Sequence, residues 1–194
     1  MKQTLKITVP THYSAINLAK YLEFREQAEV YKDEPEALEA LLLSHICDIP
    51  VELQNKIDIE TYANVKNTLS SFMADTSYDL QRFITIDGVE YGFEPNLSKM
   101  AYGAYLDVVK HETITIDKNW ASIMAVLYRP VTKKVGKLYE IKAYTGEEDS
   151  GIWYNVGMDV HFGTLFFLID LYRELLNATL SSMTDQVETL ASTK

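Results

Sequence analysis

At 194 residues, 47% of them hydrophobic, the chain can bury a core of its own as one domain or two small ones. Its formal charge of −10, from 28 acidic against 18 basic side chains, repels phosphate backbones and argues against nucleic acid as a partner. The single cysteine, Cys47, excludes an internal disulfide. The greasiest segment, Val160 to Leu176, is interrupted by Asp170, Arg173 and Glu174 and falls short of the roughly 18 uncharged residues of a spanning helix.

Taken in chain order, residues 3–9 alternate and are rich in β-branched types, which predicts a short strand ended by Pro10. Ser14 is the expected cap of a helix through about Tyr31, with Ile16, Ala19, Tyr21, Leu22, Phe24 and Ala28 on its apolar face. Asp33-Glu34-Pro35 restarts the chain, since acids and proline suit a first helical turn. The second helix carries Leu38, Leu41, Leu42, His45 and Ile46 and stops before Pro50. A third, more polar helix is expected from about Asp58 to Ala74.

The character then changes. Arg82 to Phe93 places Asp87-Gly88 between two alternating runs, the signature of a β-hairpin. Helices are predicted from about Ser98 to Lys110 and from Trp120 to Leu127, with Arg129-Pro130 ending the latter. Lys134 to Tyr144 reads as strand with a turn at Gly136, and Gly146 to Gly151 as a charged loop. A last helix is expected from about Asp159 to Ser181, followed by a polar tail that frays. The fold class is therefore α+β: a mainly helical part over residues 1–75, an α+β part with hairpins and apolar helices over 76–182, and a tail over 183–194.

Motifs for chemistry are missing from this pattern. The eight glycines form neither a dinucleotide fingerprint nor a phosphate loop. The four histidines lack the spacing of metal ligands, and His111-Glu112 diverge on any regular element. Glu147, Glu148 and Asp149 read as a solvated charge run. No G-x-S-x-G elbow occurs. The expectation is a chain with no catalytic residues, cofactor or metal, located in the cytoplasm, because Met1 to Pro10 lacks the apolar stretch of a signal peptide.

Two segments are unusually apolar for an acidic chain: Trp120 to Tyr128, and Phe162 to Ile169. Packing them together makes a core; surplus area makes a surface for a partner segment. The candidate partner-binding residues are Trp120, Tyr128, Arg129, Phe166, Phe167 and Tyr172. Arg129 either complements a helix end or clamps a carboxylate, in a partner or in the Glu147–Asp149 loop.

Asn119-Trp120 with Ile123 to Val131, the strand Tyr139 to Gly146 and the helix from Met158 through Phe167 to Leu176 resemble blocks of small tailed-phage proteins. The hairpin Phe83 to Pro95 and the opening strand and helix, with Leu18 and Tyr21, are similar too. The resemblance covers Phe83 to Leu180 best, and the chain departs from it at Gly151 to Asn155 and at Tyr172. Such proteins are described as tail assembly chaperones or virion-associated proteins. The resemblance implies binding of a phage structural protein, such as a tail component, in the host cytoplasm or in the virion. The alternative it leaves open is a structural subunit retained in the virion, buried in symmetric contacts as a homo-oligomer.

Overall fold

A computed structural model describes residues 7–74, 78–110 and 114–192, with side chains as far as residue 181. The fold is α+β: helices fill the first part, and a four-stranded antiparallel sheet with further helices follows.

The expected first strand lies mostly outside the described residues, and Ile7 to Pro10 take no part in the sheet. Ser14 falls in a short 3₁₀ turn, and helix α1 starts later, at Leu18–Val30. Its cap is Asn17, whose side chain accepts the Lys20 backbone N–H at 2.9 Å. Asparagine takes the place of serine here because the chain between them is bonded elsewhere. Leu18 donates its N–H to the Val156 carbonyl, and Ile16 accepts from Met158.

Helix α2 (Pro35–Ile46) has Pro35 at its first turn as expected, because the missing N–H is an orphan there in any case. A one-turn helix α3 (Val51–Gln54) follows Pro50, too short for apolar periodicity to reveal. Helix α4 (Ile59–Met73) is capped by Asp58, which accepts from the Thr61 N–H at 2.9 Å. That cap satisfies one of the N–H groups that the first turn otherwise leaves without a partner.

Strands β1 (Phe83–Ile86) and β2 (Val89–Phe93) form the hairpin, with Asp87 and Gly88 both at positive φ in the turn. A two-residue turn of that hand matches the twist of the strands it joins. The predicted helix over 98–110 is broken instead. A 3₁₀ turn at Leu97–Lys99 precedes helix α5 (Tyr102–Val109).

Helix α6 (Trp120–Leu127) has the predicted bounds, but the chain does not pause after it. Tyr128 passes directly into strand β3 (Tyr128–Val135), which turns at Gly136 into β4 (Leu138–Ile141). The strand starts six residues ahead of the expected Lys134. Proline excludes helix at Arg129 but not extended backbone, and Tyr128, Arg129 and Pro130 pair with Phe93, Gly92 and Tyr91. The sheet order is β1-β2-β3-β4.

Helix α7 (Met158–Ser192) is longer than expected and continues well past Ser181. One apolar cluster joins Leu18, Leu43, Val65 and Leu69 from one side of residue 75 to Phe93, Trp120, Leu127, Trp153 and Met158 from the other. Two glycines let α7 enter it. A Cβ on Gly157 would stand 2.8 Å from the Ser14 backbone, and one on Gly163 would stand 2.4 Å from the Asp79 carbonyl oxygen. Gly163→Ala is expected to destabilise the fold by about 1–3 kcal/mol, since backbone must yield to make room. A denaturation midpoint equal to that of the unaltered chain would contradict this packing.

Candidate partner-binding surface

The six residues singled out from the sequence do not form one patch. Trp120 is fully buried, and its indole N–H donates to His161 Nδ1 at 3.1 Å. Tyr128 is buried as well: its hydroxyl donates to the Gln81 carbonyl at 2.8 Å and lies 3.1 Å from Thr164 Oγ1. Burial pushes that hydroxyl up to about 12, with the Thr164 contact pulling weakly the other way. Phe166 and Phe167 are half-buried, Phe166 stacked on Phe162 and Phe167 edge-on to Phe93. Of the six, Tyr172 alone stands in solvent, at 57% exposure.

Arg129 is neither a helix-end charge nor a clamp on the acidic loop. Its guanidinium Nη2 pairs with Glu94, and both side chains are buried. Two of the three loop carboxylates are occupied locally: Glu148 accepts from the Thr145 and Gly146 N–H groups, and Asp149 from the Gly151 N–H. Arg129 Nε and Nη1 and the Trp153 indole nitrogen have no protein partner. These two side chains line a cavity of about 210 Å³ with Tyr91, Ile152 and Lys142, closed by residues 145 to 149. The cavity offers hydrogen-bond donors to an acceptor group.

A wider feature escaped the sequence reading. Helices α1, α2 and α4 leave between them a groove of about 630 Å³. Its walls are the half-buried Phe24, Ala28, Leu38, Leu42 and Tyr62, and Met73. Arg25, Glu29, Lys32, Glu39 and Lys66 form its rim, where Lys66 and Glu39 pair at 2.8 Å. Phe24, Ala28, Leu38, Leu42, Tyr62 and Met73 all fall on helix faces expected from spacing, but three separate periodic stretches say nothing about the space between them. A signal was present in α2, where Leu38, Leu41, Leu42 and Leu43 supply more apolar surface than one contact covers.

Burial raises the Cys47 thiol to about 11, so it is not a thiolate near neutral pH. Among the described residues no group of three histidine, cysteine or carboxylate side chains is placed to hold a metal, and no helix is long and apolar enough to cross a membrane. No family model matches the chain, and neither a curated protein nor a solved structure matches it.

His161, the partner of Trp120, makes the core sensitive to acid. Burial lowers its pKa to about 4 from the ordinary 6.5, while the backbone of Trp153 and Val156 acts in the opposite sense. Between those two values the unfolded chain binds the proton that the folded chain refuses. Stability from this group is complete above about pH 6.5 and is lost as the pH falls towards 4, by roughly 3 kcal/mol in all. His161→Gln keeps an acceptor for the indole and is expected to flatten that part of the stability profile. Equal slopes between pH 4 and 6.5 for the two chains would remove His161 from the account.

Proposed function

We propose that the chain is a non-enzymatic assembly protein of a tailed phage, one that receives an amphipathic helical segment of a virion structural protein in the groove between α1, α2 and α4. The observation that carries this reading is the groove itself: an apolar floor with a rim carrying both signs of charge. An amphipathic helix presents anchors at spacings of three and four residues to such a floor, and its flanking charges meet the rim. The acidic surface keeps the complex soluble while the sticky segment is covered. The phage context rests on the resemblance of the Phe83 to Leu180 region. The groove lies outside that best-matched region, although its wall α1 belongs to the opening helix that shares the resemblance.

A tagged pull-down from infected cells, beside mass spectrometry of purified particles, tests the proposal. Ala28→Asp and Met73→Asp each put a carboxylate on the groove wall and are expected to weaken capture of the structural protein by about tenfold or more, with the helical signal retained. Unchanged capture by both variants would reject the groove. Stoichiometric presence of the chain in finished particles would move the reading to a structural subunit that stays in the virion.

A further inference from the structure

Helix α7 carries a second apolar feature, separate from the groove. Leu165, Ile169, Tyr172, Leu176 and Leu180 follow one another at spacings of 4, 3, 4 and 4 residues. In the sequence Met183, Val187 and Leu190 continue at 3, 4 and 3. Alternation of three and four keeps one stripe along a single side of a helix. At its inner end the stripe packs into the fold, with Leu165 against the core cluster. Over the next turns it is exposed: Tyr172 at 57% and Leu176 at 43%, with Leu175 beside them at 59%.

We propose that this stripe pairs with the same stripe of a second copy, making the chain a symmetric homodimer through α7. The charge pattern identifies the occupant. By helical position, the carboxylates Asp170 and Glu174 both fall on the side away from the stripe. The positions flanking it beyond Tyr172 are Arg173 and Thr179, and Arg173 reaches Asp170 on its own helix at 3.3 Å. On a chain of net charge −10 two copies repel wherever acidic faces meet. This face meets its own image without bringing carboxylates together. A basic partner helix would need acids beside the seam, and the sequence puts none there. An isologous contact requires one self-complementary patch, and an apolar stripe with no carboxylate on its flanks is one.

Sedimentation velocity between about 1 and 100 µM protein reads the proposal directly. The unaltered chain is expected to run as a dimer at the upper end. Leu176→Asp, on an exposed helix position, is expected to run as a monomer with an unchanged thermal transition. Thr179→Glu places like charges across the seam, so it should dissociate at low salt and re-associate as salt rises to about 1 M. A monomer throughout the range for the unaltered chain overturns the proposal, as does a dimer that survives Leu176→Asp. Dissociation by Ala28→Asp but not by Leu176→Asp overturns it too, since the helix would then be seated in a neighbour's groove. Groove variants that stay dimeric yet lose capture of the structural protein leave the two surfaces separately assigned.

Discussion

The inner turns of α7 are the part on which the rest of the molecule depends. Met158, His161 and Thr164 are completely buried there, and each meets a different part of the chain. Met158 bonds through its backbone to Ile16 ahead of α1, His161 accepts from Trp120 of α6, and Thr164 lies beside Tyr128 where the sheet begins. Helix, helix and strand are thus referred to one short piece of backbone. The close approach needs Gly157 and Gly163, where any side chain would strike the Ser14 or Asp79 backbone.

Around this centre the polar groups are handled unevenly. The Trp120 indole, the Tyr128 hydroxyl and the Thr164 hydroxyl all find acceptors or partners inside the chain, which makes a buried polar network tolerable. The Arg129–Glu94 pair is costlier to bury, because both charges leave water and part of the guanidinium goes unmatched by protein. Its position at the start of β3, opposite Gly92, links the charge pair to the point where α6 becomes strand. The pair therefore sits where the backbone changes its regular structure, and it marks that junction more than it strengthens it.

Much of the fold was legible in the sequence, and for reasons that can be named. Pro35, Asp58 and Asp87-Gly88 act within a few residues of themselves, so α2, α4 and the hairpin could be read from local chemistry. The Trp120–Leu127 helix announced itself by continuous apolar character. Elements decided by distant partners were harder. Asn17 displaced Ser14 as the cap of α1 because of bonds to residues 156 and 158, and β3 began at Tyr128 because β2 was there to receive it. The same limit governed the candidate surface. Apolar residues declare that they need cover, but not whether the cover comes from the chain itself. Trp120 and Tyr128 found it inside, Tyr172 did not, and the groove between α1, α2 and α4 exists only once three helices are set side by side.

The continuity of α7 has a mechanical side. Neither glycine nor proline stands between Thr164 and Lys194, so nothing in the sequence provides the usual site for a kink. From Thr164 to Ser192 the helix extends about 40 Å as one stiff rod clamped at its base. A tilt of about 5° at the clamp displaces the far end by about 3–4 Å. The direction of the rod is therefore sensitive to how tightly Gly163 lies on the Asp79 backbone, the close approach next to Thr164 and Tyr128.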